Sequence, residues 1–158
     1  HSGDKDGIWA SMAFAEMAAA LKENKLTPID RLNQIYQQYE VHLDALGTQT
    51  FKGTKGMAKI QQIMRELRNS PPESVAGQAV VKITDYLENK IICGNETRQG
   101  PGLPQSNVIA LELADNSRIT ARPSGTEPKI KYYFNLQGKD SEMLNRRLAS
   151  IQADFIKD

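Results

Sequence analysis

One short segment of the sequence concentrates groups that bind anions. Residues 122–126 read Arg-Pro-Ser-Gly-Thr and supply a guanidinium, two hydroxyls and several backbone N–H groups. Proline fixes one φ angle and Gly125 permits a positive φ, so successive N–H groups from Ser124 onward can face one concavity. Arg122 adds a planar fork that matches phosphate oxygens, and Lys131 adds a second cation if its strand face turns toward the loop. These donors suit a phosphate monoester.

The same loop also has a simpler interpretation as a strand connection. Pro-Ser-Gly is common in turns, and an exposed arginine needs no ligand. The spacing departs from the G-x-x-x-x-G-K-[ST] pattern of a P-loop. From the residues alone, a phosphate site and an ordinary turn both remain open.

Hydrophobic periodicity places this loop between two strands of a sheet. Residues 108–125 predict a hairpin that turns at 115–117, and residues 129–136 alternate apolar with polar side chains, as in a strand with one buried face. The other predicted elements are extended segments at 41–52 and 79–93, an exposed loop at 95–107, and helices at 53–70 and 138–158. This order predicts an α+β fold for residues 41–158, with an antiparallel sheet of four to five strands and helices on one face.

The first part of the chain has a different character. Residues 4–25 predict a helix with apolar side chains nearly all around it, which is typical of a helix buried between the layers of a larger domain. Residues 27–40 predict a second helix, with Thr27 as the N-cap and Pro28 at the first position. Because these two helices have no strand to pack on, we interpret residues 4–40 as the edge of a truncated α/β domain. We expect the exposed helix 4–25 to self-associate.

Composition narrows the classes of function. The net charge of +1 provides no global field for nucleic acid or membranes, and no apolar run reaches the roughly 18 residues of a membrane span. The lone Cys93 fits a reducing, cytoplasmic compartment, and His42 has no companion at metal-ligand spacing. We therefore expect no nucleic-acid, membrane or metal partner. One alternative class stays open, a non-catalytic α+β module that binds nucleic acid or another phosphate ligand, because Gly-Thr-Lys-Gly at 53–56 is similar to a G-x-x-G loop.

Two segments resemble a known enzyme family. RPSGTEPKIKYYF, at 122–134, resembles the phosphate-binding loop in the C-terminal domain of the α-D-phosphohexomutases, the phosphoglucomutase/phosphomannomutase family. DKDGIWASMAFAEMAA, at 4–19, resembles the stretch that follows the sugar-binding loop in the third domain of these enzymes. The resemblance implies a C-terminal fragment of a four-domain mutase. Residues 4–40 would end the third domain, residues 41–158 would form the TBP-like phosphate-binding domain, and residues 1–3 look like a tag remnant.

The resemblance also implies a chemistry. The parent would interconvert sugar 1-phosphates and 6-phosphates, or pentose 1- and 5-phosphates, through a phosphoserine, Mg²⁺ and a sugar bisphosphate intermediate. The sequence contains no counterpart of the family's serine, metal or sugar-reading loops, so no catalytic or metal residue and no mutase activity are expected in this chain. The expected partners are a phosphosugar and the missing N-terminal domains. The positions that the resemblance assigns to substrate phosphate binding are Arg122, Ser124, Gly125, Thr126 and Lys131, and Lys5 matches a lysine that faces the cleft.

Overall fold

The computed structural model describes residues 6–53 and 55–156. Lys5, one of the predicted site residues, lies outside the described residues, as do residues 1–3. The chain divides into two units between Val41 and His42. The assignment of these units to two domains of a longer enzyme stays a prediction.

The first unit contains two capped helices, α1 (Gly7–Glu23) and α2 (Pro28–Tyr39). Asp6 caps α1, since its carboxylate accepts a hydrogen bond from the Trp9 N–H at 2.9 Å. Thr27 caps α2 as predicted: its hydroxyl accepts from the Asp30 N–H, and the Asp30 carboxylate accepts from the Thr27 N–H at 2.7 Å. Neither helix contains a fully buried residue, and α1 exposes a series of large apolar side chains: Ile8, Trp9, Met12, Phe14 and Met17.

The second unit is a sheet with two helices. Its elements in chain order are β1 (Val41–Thr50), α3 (Lys55–Asn69), β2 (Ser74–Val75), β3 (Gln78–Asp85), β4 (Lys90–Cys93), β5 (Glu96–Gln99), β6 (Ile109–Leu113), β7 (Arg118–Pro123), β8 (Lys129–Gly138) and α4 (Ser141–Phe155). The strand order is β1-β8-β7-β6-β3-β4-β5, and β2 pairs with β3 at the side of this path. All the strand pairs formed among β2 to β8 are antiparallel.

The α+β class is confirmed, but the predicted count of four to five strands is wrong, since the described residues form eight. The extended segment 79–93 is divided into β3 and β4 by a turn in which Asn89 has a φ of 49°. The predicted loop 95–107 contains β5, which pairs with β4 along its whole length. All four residues of β5 are exposed at the sheet edge, so they carry no apolar alternation that could reveal the strand.

One face of the sheet forms the core with both helices. In β8 the alternate residues Ile130, Tyr132, Phe134 and Leu136 are at most 2% exposed. Helices α3 and α4 both contact β8, and the ring of Phe155 on α4 packs edge-on against Tyr132 with ring centroids 5.6 Å apart. Because successive side chains of a strand alternate between faces, the residues between the buried ones point away from the helices. The candidate site lies on that outer face.

Two ion pairs attach the helices to the sheet. Arg68 of α3 donates from Nε to Asp85 at the end of β3 over 2.7 Å, and Asp85 is 2% exposed. Arg147 of α4 donates to Asp115 in the β6–β7 turn over 2.8 Å. Burial alone would raise the pKa of Asp115, but hydrogen bonds from Ser117 and Arg147 lower it overall. The first pair holds α3 against the end of β3, and the second holds the β6–β7 hairpin, whose strand β7 carries the candidate site, against α4. No described helix has the length and apolar character that crossing a bilayer requires.

Candidate functional site

The pairing of β7 with β8 brings two cations together. Arg122 and Lys131 are direct Cα partners in this antiparallel pair. Side chains at directly opposed positions lie on the same face of a sheet. The neighbouring residues Ala121 and Ile130 are buried against the helices, so Arg122 and Lys131 share the outer face. The condition left open by the sequence, that the face of Lys131 turns toward the loop, is met by this register.

The connection between the strands differs from the prediction that successive N–H groups from Ser124 onward face one concavity. The N–H of Ser124 donates to the carbonyl of Lys129 at 2.9 Å, and the N–H of Lys129 donates to the carbonyl of Glu127 at 2.7 Å. Ser124 therefore extends the strand ladder, and its N–H cannot serve a ligand at the same time. Gly125 does not adopt a positive φ, and a Cβ built there would meet no atom within 4 Å. The donors left in the loop are the side chains and the N–H groups of Gly125 and Thr126, which have no backbone acceptor among the described residues.

A cavity of about 220 Å³ opens at this end of β7 and β8. It is several times the roughly 30 Å³ that one water occupies in the liquid, so a phosphate group fits with some of its hydration. Four of the predicted residues meet in it, whereas Thr126 belongs to the same loop but does not line the cavity. The lining residues are Arg122, Pro123, Ser124, Gly125, Glu127, Lys129, Lys131 and Tyr133.

The charges in this cavity favour a dianion. Three cations, Arg122, Lys129 and Lys131, and one carboxylate, Glu127, leave two positive charges. Lys129 pairs with Glu127 over 2.5 Å. The hydrogen bond from Lys129 lowers the pKa of Glu127, and the charges of Lys129 and Lys131 lower it further.

By contrast, the two cations that face each other across the strands are unpaired. Within the described part of the chain, neither the guanidinium of Arg122 nor the ammonium of Lys131 forms a hydrogen bond or ion pair. Like charges at directly opposed positions destabilise a sheet. An anion between them would remove that cost, so this pair is suited to anion binding.

Lys129, Tyr133 and Glu127 line the cavity but were not among the predicted phosphate-binding residues. The sequence could have indicated Lys129 and Tyr133, because each lies two residues from Lys131, and this spacing places all three side chains on the same face of the strand. Glu127 gave no such signal, since its position depends on the conformation of the loop.

The described residues contain no group of three or more His, Cys, Asp or Glu side chains that could hold a metal ion. The described residues therefore do not fit a Mg²⁺ ion. The family resemblance assigns the Mg²⁺ site to another part of the parent enzyme. The chemistry available in this cavity is the binding and orientation of an anion by fixed cations and a hydroxyl.

Comparison with known proteins found similarity to phosphoglucomutases. No protein-family model matches the chain. It is 37% identical over 146 residues to a phosphoglucomutase of Staphylococcus aureus strain MRSA252, and 39% identical over 135 residues to that of strain USA300. These alignments cover 92% and 85% of this chain but 26% and 24% of the relatives, so the chain spans about a quarter of their length.

A solved structure shares the fold. The open form of the exocytosis-sensitive phosphoprotein pp63/parafusin, a phosphoglucomutase from Paramecium, superposes with a TM-score of 0.55 at 19% identity. The match covers 94% of this chain and 27% of that protein. At this identity the likeness concerns the fold alone.

Proposed function

We propose that the chain belongs to the phosphohexomutase family, a proposal supported by its similarity to phosphoglucomutases, and that its second unit is the phosphate clamp of a phosphosugar mutase. The observation that carries the proposal is that Arg122 and Lys131, two cations without an ion-pair partner among the described residues, oppose each other across β7 and β8 and both line the cavity. A phosphate monoester dianion would accept hydrogen bonds from both. The Ser124 hydroxyl and the free N–H groups of the loop would complete its coordination.

The parent enzyme is an isomerase of carbohydrate metabolism in this proposal, and the chain is its C-terminal part. The parent interconverts a sugar 1-phosphate and the 6-phosphate in the cytoplasm, through a phosphoserine and a bisphosphate intermediate. The catalytic serine and the Mg²⁺ site belong to the rest of the parent, so the chain by itself is inactive. The pentose 1- and 5-phosphates are the alternative substrates.

The clamp contributes binding energy to the reaction. The phosphate that does not react is held by Arg122 and Lys131, and its binding positions the sugar hydroxyl that receives the second phosphoryl group. Both cations project from paired strands, and their Cα positions are fixed by the sheet ladder. A clamp built on strands holds the phosphate more rigidly than one built on a loop alone.

The test is a titration of this chain with glucose phosphates and with free glucose, in which ¹H–¹⁵N NMR monitors the amide signals of Gly125 and Thr126. We expect glucose 1-phosphate and glucose 6-phosphate to bind with similar affinity, because the site contacts the phosphate, and free glucose not to bind. Arg122→Met should weaken binding by about tenfold or more, since it removes a charge-assisted hydrogen-bonding group.

Arg98→Met is the matched control. Arg98 is an exposed arginine on the edge strand β5, where its nearest carboxylate, Glu96, is 3.8 Å away. This variant changes the net charge identically and should bind phosphate like the unmodified chain. Equal binding of glucose and its phosphates, or equal losses in both arginine variants, would refute the clamp. A steep salt dependence of oligonucleotide binding at the same amides would favour the nucleic-acid alternative.

A further inference from the structure

A carboxylate lies inside the anion-binding cavity. Glu127 lines it together with the three cations, and its Oε2 is 2.5 Å from the ammonium of Lys129. The Glu127 side chain is 58% exposed, so rotation away from Lys129 meets little steric resistance, whereas Lys129 is 27% exposed and more constrained. Glu127 is therefore an internal counter-ion of Lys129.

We propose that Glu127 competes with the substrate phosphate for Lys129, which weakens the clamp and accelerates its release of phosphate. This inference rests on the proposed function. A mutase clamp must release one phosphate of the bisphosphate intermediate and accept the other, so excess affinity would slow turnover. A carboxylate that returns to Lys129 when phosphate leaves limits that affinity.

The charges explain why the two anions compete. An ammonium has three N–H donors, so Lys129 could contact the carboxylate and the phosphate at once. The carboxylate and the dianion would then lie within several ångströms of each other. Their repulsion at about 6 Å in water corresponds to roughly a tenfold loss of affinity, which salt reduces to a few-fold. Outward rotation of Glu127 avoids the repulsion but gives up its bond to Lys129, so each arrangement reduces phosphate affinity.

The chain contains a matched control for this pair. Glu88 and Lys90 form an ion pair with the same spacing of two residues at the start of β4, three places from β7 in the sheet. The Glu88 side chain is 46% exposed, similar to Glu127, and it does not line the cavity. Glu88 also lies 4.0 Å from Nε of Arg68, so Glu88→Gln removes the same charge together with this longer second contact, and it leaves every residue of the cavity unchanged.

The experiment measures affinity and release of inorganic phosphate by the 158-residue chain, from NMR titration and line shapes of the Gly125 and Thr126 amides near neutral pH. In Glu127→Gln, phosphate should bind roughly three- to tenfold tighter and dissociate correspondingly more slowly. Glu88→Gln should match the unmodified chain. In a Lys129→Met background, the cation for which carboxylate and phosphate compete is absent. The increase in phosphate affinity caused by Glu127→Gln should then shrink to the effect of removing one negative charge from the cavity.

The outcomes separate this inference from the proposed function. Unchanged or weaker phosphate binding in Glu127→Gln, with binding still lost in Arg122→Met, would overturn the competition and leave the clamp standing. An increase in phosphate affinity of the same size in the Lys129→Met background would also overturn it, since Glu127 and phosphate would then not be competing for Lys129. If the unmodified chain binds no phosphate, or Arg122→Met binds it equally well, the proposed function fails and this inference fails with it.

Discussion

Replacing Lys131 with methionine should stabilise the phosphate-free fold while weakening the site. Lys131 opposes Arg122 directly across β7 and β8, and within the described residues neither cation has an ion-pair partner. Methionine keeps an apolar stem of similar length and removes the charge. Fold and ligand thus impose opposite requirements on this one position.

The magnitude follows from the pairing geometry. Cross-strand pairs are worth about 0.2–1 kcal/mol and like charges directly opposed are destabilising, so Lys131→Met should raise the free energy of unfolding by at most about 0.5 kcal/mol, less the weak attraction between Lys131 and Glu127 that is lost with it. Loss of a charged hydrogen-bond donor to phosphate should cost about 1.5–3 kcal/mol of binding free energy, which is roughly a 10- to 150-fold loss of affinity. The gain in stability should shrink at high salt, because the repulsion is screened.

Urea unfolding followed by circular dichroism, with and without phosphate, measures both effects. The unmodified chain should become more stable as phosphate is added, because the ligand binds only the folded state, and Lys131→Met should lose most of that response. Lys90→Met is the control, since it removes a lysine that forms an attractive ion pair with Glu88, and it should leave stability unchanged or slightly lower it. A clear loss of stability in phosphate-free Lys131→Met at low salt would refute the reasoning, because it would show that attraction outweighs repulsion at Lys131.

Three further predictions concern other parts of the chain. Because α1 exposes Trp9 and other large apolar side chains, the chain should self-associate with rising concentration in sedimentation velocity, and Trp9→Glu should weaken this; a chain that remains monomeric would contradict it. Burial raises the pKa of Tyr132 to about 12, above the unfolded value near 10, so the folded state keeps a proton that the unfolded state loses. Stability should therefore fall between pH 10 and 12, and Tyr132→Phe should flatten the fall; an identical pH profile in the variant would contradict the shift. A Cβ on Gly56 would lie 2.6 Å from the carbonyl oxygen of Phe51, so Gly56→Ala should lower the melting temperature despite better helix propensity, whereas Gly125→Ala, with open space, should not.

Local patterns in the sequence predicted several elements correctly. Thr27, the predicted N-cap, marks the start of α2, and the predicted Pro28 occupies its first position. The turn predicted at 115–117 contains Asn116 with a φ of 64°, a conformation that asparagine tolerates better than most residues. Such features depend on side chains within a few positions of one another, so they can be predicted without knowledge of the fold.

The failures of prediction have a physical cause in common. Strand β5 has four exposed polar residues and forms because the edge of β4 offers hydrogen-bond partners. The ion pairs Arg68–Asp85 and Arg147–Asp115 join residues 17 and 32 positions apart. Neither kind of interaction leaves a periodic signal, because each depends on which segments meet in space.

By itself, the sequence determined the α+β class, the strand alternation that turns Lys131 away from the core, and the loop chemistry that suits phosphate. Only the tertiary structure decided that Arg122 faces Lys131, that the Ser124 N–H is used by the ladder, and that Glu127 enters the cavity beside Lys129. Residue types and short-range periodicity specify which groups are available and which face of a strand they occupy. Strand register and loop path fix their distances, and both result from packing the whole sheet against its helices.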